Sequence, residues 1–267
     1  MPTAFSGAYP LESRSGEIER LRTQSEAMAS DTKTMLETIG VGEGWRCLDL
    51  GCGPEGIASL LAPMVGHTGR VLGLDLNEGF LAHARASAPA NVEFRSGNVF
   101  QTGLAADSFD LVHARFVAST AGSPEALLAE AIRVARPGGV VALQEPDGST
   151  LECYPPHPAW ETLKSALLGA FEGVGADLRL ARRLYSIACA SGLADVRYRT
   201  CLLAVRSMDP MVDYPPSTVE SLRATVIRLG LLTEAELDRA LAECREHLRQ
   251  PGTSFTMYTV AQVWGRK

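Results

Sequence analysis

The sequence contains no cysteine pair at a metal-ligating or redox spacing. Its six cysteines (Cys47, Cys52, Cys153, Cys189, Cys201 and Cys244) are scattered, with no CxxC and no Cys/His cluster. No metal is expected, and reduced thiols in a cytoplasm are the expected state. A basic excess is also missing. The net charge of −6 argues against nucleic acid as the main partner, because phosphate binding needs a dense basic surface. No apolar run approaches the length of a bilayer span. Met1-Pro2-Thr3-Ala4-Phe5 shows no basic region followed by an apolar stretch, so no signal peptide is expected. Internal repeats and low-complexity tracts are absent. What remains is globular composition, 46% hydrophobic and 21% charged over 267 residues, enough for one sizeable core or a core plus a lid.

The most informative stretch is Cys47-Leu48-Asp49-Leu50-Gly51-Cys52-Gly53-Pro54-Glu55-Gly56. A short apolar run ends in a glycine turn, and an amphipathic pattern starts at Pro54. That pattern predicts strand, tight loop and helix N-terminus. Gly51 and Gly53 let the backbone turn sharply and let a ligand lie against bare main chain. The first helical turn adds unpaired N–H groups. Together they form a floor for a nucleotide-like molecule. Gly51-x-Gly53-x-x-Gly56 matches the dinucleotide fingerprint, with Asp75 downstream, so both NAD and S-adenosylmethionine fit at this point.

The chain around it alternates strands and helices, which signals a parallel sheet. Strands are expected at Arg46–Leu50, Arg70–Leu74, Val92–Arg95, Phe109–Ala114 and Val140–Glu145. Helices are expected at Glu55–Val65, after Asn77 and after Ser123-Pro124. Two helices precede them, one from Gly16 and one over Asp31–Ile39. After Asp147 the rhythm changes. Helices are expected over Trp160–Phe171, Leu178–Ala190, Ser217–Leu229 and Thr233–Leu248, the last opened by a Thr-x-x-Glu capping box. Val196–Val205 and Phe255–Trp264 are strand-like. The Tyr154-Pro155-Pro156 and Tyr214-Pro215-Pro216 segments suggest rigid loops. Ligands bind at the carboxyl ends of such strands, so Leu50–Gly53, Asp75, Asn98, Ala114–Phe116 and Gln144–Asp147 should converge on one crevice.

Asp49 before the glycines in Asp-Leu-Gly-Cys-Gly-Pro, with the later segments in set order, resembles the class I S-adenosylmethionine-dependent methyltransferases. The branch is that of the ubiquinone and menaquinone C-methyltransferases, and the resemblance covers about residues 16–147. It implies an α/β, Rossmann-like fold: a seven-stranded, mostly parallel sheet with the last strand antiparallel, and helices on both faces. N-terminal helices and a helical insertion before the last strand complete it. The implied division is a helical cover (1–40), a cofactor-binding core (41–147) and a substrate-side half (148–267) with its insertion near 207–253. The implied cofactor is S-adenosylmethionine, leaving as S-adenosylhomocysteine. The implied acceptor is a small organic molecule, a secondary metabolite or quinone-like. No membrane partner is expected, and long terminal helices could form a homodimer face.

Each part of that cofactor has a candidate partner. Gly51, Cys52 and Gly53 approach the methionyl part, and Asp49 braces the loop. Asp75 can accept both ribose hydroxyl hydrogens. Leu76 and Phe80 could flank the adenine. Asn98 stands where the family often has Asp, and its amide oxygen can still accept from the adenine amino group; Val99 offers a backbone N–H. Ala114, Arg115 and Phe116 end strand four. Gln24 and Tyr9 match a Tyr…Arg-Leu-x-x-Gln pattern of the branch. Methyl transfer needs alignment and desolvation more than a base. Candidates for a catalytic group are nonetheless His113, Arg115, Glu145 and Asp147. His113 lies inside a strand and could equally be a core histidine. Arg115 could hold an acidic group or pair with Glu145. Tyr154, His157 and Tyr214 could line an acceptor pocket. A fold that binds the cofactor without transferring its methyl, as a cyclase or binding module, is the alternative.

Overall fold

The computed structural model of the chain describes residues 16–54 and 56–267; Tyr9 and Glu55 lie outside the described residues. The glycine stretch and its neighbours form the centre of a sheet. Its parallel strands are β1 (Arg46–Leu50), β2 (Arg70–Asp75), β3 (Val92–Ser96), β4 (Phe109–Arg115) and β5 (Ala135–Asp147). Helices α1 (Glu17–Ile39), α2 (Ala58–Val65), α3 (Glu78–Ala86), α4 (Ala118–Ala121) and α5 (Pro124–Val134) accompany them. Further on come β6 (Glu152–Tyr154), α6 (Pro158–Glu172), α7 (Ala181–Ala190), β7 (Ala194–Cys201), β8 (Ala204–Arg206), α8 (Tyr214–Ser221), α9 (Arg223–Arg228), α10 (Glu234–Leu248), β9 (Ser254–Thr256) and β10 (Thr259–Arg266).

The large sheet runs β3-β2-β1-β4-β5-β10-β7. β10 is antiparallel to both β5 and β7, as the resemblance implied. The order reverses between β1 and β4, which sets a crevice at their carboxyl ends. Both faces are covered, so the strands are apolar on both. Leu48, Val112, Val141 and Leu143 pack towards α5 and α7. Cys47, Leu111, Val140 and Ala142 pack towards α1, α2 and α3.

The N-terminal cover is one continuous helix, Glu17–Ile39, not two. Its inward stripe changes character along its length. Met28, Met35, Leu36 and Ile39 are buried and apolar, whereas Glu17 and Thr32 are buried and polar. The polar residues made the sequence look interrupted at Ser30-Asp31, but Thr32 points inward and donates to Gln144 Oε1 at 3.2 Å.

A third core lies beyond the large sheet. α6, α8 and α10 pack with a small antiparallel sheet, β6-β9-β8. The two strand-like stretches of the sequence are thereby each split. The large sheet ends at the Cys201–Val260 pair, and the small one begins at Ala204–Thr256. Met257 N donates to Leu203 O (2.8 Å) at the bend between them. Tyr214-Pro215-Pro216 opens α8 instead of forming a loop, because proline is tolerated in a first helical turn.

The glycine loop leaves no room for a side chain at Gly51, where a Cβ would lie 2.5 Å from Val117, or at Gly56. Gly56 has φ +53, and a Cβ there would lie 2.3 Å from Asp49 Oδ2 and 3.0 Å from Cys52 O. Gly56→Ala is expected to destabilise the fold by about 2 kcal/mol or more, from left-handed strain plus the displaced carboxylate. Gly103→Ala, at φ +67 with open space, is the control and should cost only the backbone term of about 1–2 kcal/mol. Urea midpoints of the two variants check the difference.

Candidate active site

The loop after β1 is pinned from three sides. Gly51 N and Cys52 N donate to Leu74 O of β2 (2.7 and 3.0 Å). Gly53 N donates to Asp75 Oδ2 at 2.8 Å, and Asn77 N to Asp75 Oδ1 at 2.9 Å. Asn77 caps α3 by accepting from Phe80 N. Asp49, 2% exposed, accepts from Ile57 N at 2.9 Å. Its other oxygen lies 2.7 Å from His113 Nδ1, and His113 Nε2 lies 3.0 Å from Gln144 Oε1. His113 is therefore enclosed beneath the loop, bracing Asp49.

One cleft with about 220 Å³ of internal space opens above this floor. At one end stand Gly51, Gly53, Asp75, Leu76, Phe80 and Val99. Leu76 is 55% exposed, so an apolar face is presented beside the Asp75 carboxylate. The other end is walled by Leu151, Leu167, Phe171, Leu178 and Met257. Between the ends sits a polar group carried by the N-terminal half of α1. Gln24 Nε2 donates to the hydroxyls of Tyr214 (2.7 Å) and Tyr258 (2.8 Å). Arg20 Nη1 donates to Tyr214 Oη at 2.5 Å, and the guanidinium is held by Glu17 at 2.7 and 2.9 Å. Burial drives the Tyr258 pKa well above the ordinary phenol value, reinforced by Tyr214, so Tyr258 stays an O–H donor. Among the described cleft residues the ionisable ones are Arg20, Asp75, Arg115, Tyr214 and Tyr258.

The predicted residues Gln24, Gly51, Gly53, Asp75, Leu76, Phe80, Val99, Arg115, Phe116 and Tyr214 thus meet in one cleft. Asp49 and Cys52 line a smaller recess under the glycine loop. Arg115 does not pair with Glu145; its hydrogen bonds go to Ser25, Thr32 and Gly56 O.

Other expectations need correction. Pro146 and Gly148 line the cleft, and the period of two turns Glu145 and Asp147 away from it. Glu145 is fully buried and accepts from Ala118 N (2.9 Å) and Ser119 N (3.1 Å), fixing the start of α4. Asp147 is engaged by Arg182 at 2.6 Å and by Ser149. Burial alone would raise its pKa, but the hydrogen bonds from Ser149 and Arg182 outweigh it and hold the pKa down. Neither carboxylate is placed as a base in the cleft. Asn98 closes its own turn by accepting from Phe100 N, and Ala114 is sealed in the core; neither lines the cleft. Tyr154 is 71% exposed outside it. His157 caps α6 through Ala159 N and stacks on His247 at 4.5 Å. The sequence reading missed Tyr258, which the bend between β9 and β10 delivers. It did not single out Arg20, although Arg20 is the arginine of the Arg-Leu-x-x-Gln pattern and stands one helical turn before Gln24 on the same face.

Burial pushes the Glu145 pKa up to about 7, against the opposing hydrogen bonds from α4. The folded chain therefore holds a proton that the unfolded chain releases near 4.5. Stability from this group is complete below about pH 4.5 and is lost as pH rises through about 7, by roughly 3 kcal/mol at most. Urea midpoints across that window should fall more steeply for the native sequence than for Glu145→Gln.

Residues 48–143 match the family model described as the methyltransferase domain. An uncharacterised 37.1 kDa protein in transposon TN4556 of Streptomyces fradiae is 35% identical over 150 residues, 55% of this chain and 42% of that protein. The demethylmenaquinone methyltransferase of Lactococcus lactis subsp. lactis is 35% identical over 126 residues, 46% of this chain and 50% of that enzyme. The chain spans about half the length of the curated relatives it matches. Among solved structures, Haemonchus contortus phosphoethanolamine N-methyltransferase 2 with phosphomonomethylethanolamine and S-adenosylhomocysteine superposes at TM-score 0.61 and 17% identity. It covers 100% of this chain and 61% of that one, a likeness of fold.

Proposed function

We propose that this chain, which carries a class I S-adenosylmethionine-dependent methyltransferase domain, transfers a methyl group to a small, largely apolar organic acceptor. The supporting observation is that one cleft joins a nucleoside-type end to an apolar end. The residues fit the cofactor's parts: Asp75 suits the ribose hydroxyls, the Leu76 and Phe80 surfaces suit the adenine, and the bare glycine backbone suits close approach. When bound, the cofactor supplies an electrophilic methyl whose departing thioether needs no proton. The protein's work is then alignment and exclusion of water. Leu151, Leu167, Phe171 and Met257 keep the acceptor end dry. Gln24, Tyr214 and Tyr258 present hydrogen bonds suited to an acceptor oxygen. No carboxylate faces that end among the described residues, which disfavours a cationic amine acceptor.

Calorimetric titration with S-adenosylmethionine and S-adenosylhomocysteine tests the reading. Heat from both ligands is expected, and no heat from either at millimolar concentration ends it. The absence of a histidine, glutamate or lysine among the described cleft-lining residues also suits a cofactor-binding protein that leaves the methyl in place. Turnover without stoichiometric S-adenosylhomocysteine release would favour that second reading.

A further inference from the structure

Arg115 is a half-buried cation whose hydrogen-bond partners are all neutral. Its guanidinium donates to the hydroxyls of Ser25 (3.0 Å) and Thr32 (3.5 Å) and to Gly56 O (3.4 Å). Among the described residues no carboxylate lies within ion-pair distance of it. Asp49, the acid that acts on it electrostatically, is already committed to Ile57 N and His113. Burial pulls the Arg115 pKa below the ordinary guanidinium value. A partly buried cation with no carboxylate beside it favours the approach of an anion.

The position of Arg115 identifies the class of anion it suits. Arg115 faces both the main cleft and the smaller recess formed by Gly51, Cys52, Gly53 and Gly56. Ser25 ties the two together, since its hydroxyl also donates to Gly56 O at 3.1 Å. The recess is therefore built from the glycine loop and α1, and none of Leu151, Leu167, Phe171, Leu178 or Met257 lines it. A planar guanidinium matches a planar carboxylate with two parallel hydrogen bonds.

We propose that Arg115 binds the α-carboxylate of the cofactor's methionyl part and makes cofactor affinity depend on that group. The assignment rests on the S-adenosylmethionine reading above. It gives Arg115 to the cofactor rather than to an acidic acceptor or to Glu145.

Two nucleosides separate the outcomes. S-adenosylhomocysteine carries the carboxylate; 5′-methylthioadenosine lacks the whole amino-acid part. Calorimetry on the native chain and on Arg115→Met should show at least a tenfold loss of S-adenosylhomocysteine affinity. The change for 5′-methylthioadenosine should stay under about twofold, in keeping with charge-assisted hydrogen bonds made only to the carboxylate. The ligand-free melting temperature of Arg115→Met should hold or rise, because an unbalanced cation has been removed. Arg115→Lys keeps the charge without the fork and should fall between the two; it carries the test if Arg115→Met does not fold. Equal losses for both nucleosides, or unchanged S-adenosylhomocysteine affinity, overturn the assignment and leave the proposed function standing. If the native chain binds neither nucleoside, the proposed function fails and this assignment with it.

Discussion

Asp75→Ala is expected to weaken S-adenosylmethionine and S-adenosylhomocysteine at least tenfold by calorimetry. Asp75 ends β2 at the cleft, with Gly53 N on one oxygen and Asn77 N on the other. A carboxylate oxygen can accept more than one hydrogen bond, which suits the Asp75 carboxylate to ribose hydroxyl hydrogens at the end of β2. Hydrogen bonds to a charged carboxylate are worth roughly 1.5–3 kcal/mol, about tenfold to over a hundredfold in affinity. Loss of the carboxylate also releases Gly53 N–H, which loosens the loop. Asp75→Asn separates the two contributions: it keeps one acceptor oxygen and should retain more affinity than alanine. Unchanged affinity in Asp75→Ala would remove Asp75 from the cofactor site.

The large sheet was legible because its signal is local. β1, β2, β4 and β5 carry short apolar runs preceded by turn residues, Gly44, Gly69, Asp107-Ser108 and Gly138-Gly139, and the carboxyl-end rule then gathers the tips. The direction of side chains at those tips was not read, although the sequence contains it. On the face below α1, apolar residues give way to polar ones at every second position: Cys47 then Asp49, Leu111 then His113 and Arg115, Ala142 then Gln144. The intervening Leu48, Leu50, Val112, Ala114 and Leu143 belong to the opposite core. Extended through β5, the same parity puts Pro146 with Gln144 and sends Glu145 to the other side, beneath α4. Two carboxylates near a strand end therefore did not amount to two carboxylates in the cleft. The bend that brings in Tyr258 was beyond such reasoning. It depends on two sequence-distant strands leaving the large sheet together, at Leu203 and Met257.

His113→Leu should be the most damaging of these substitutions to stability, lowering it by about 3–5 kcal/mol. The imidazole is fully buried and lies between Asp49 and Gln144. Without it, the Asp49 carboxylate, itself 2% exposed, keeps only the bond from Ile57 N among those described. A carboxylate left in that position is costly because desolvation is retained while its partner is lost. The double variant Asp49→Asn/His113→Leu removes the charge as well and should recover much of the loss, so the cycle gives a coupling well above the few tenths expected of independent sites. The measurement also decides what His113 does. A group acting on the reacting atoms would lose turnover while the urea midpoint and S-adenosylhomocysteine affinity held. A brace beneath the glycine loop predicts the reverse order: stability falls first, cofactor affinity follows because Ile57 N and the turn at Gly56 are no longer fixed by Asp49, and turnover drops only as a consequence.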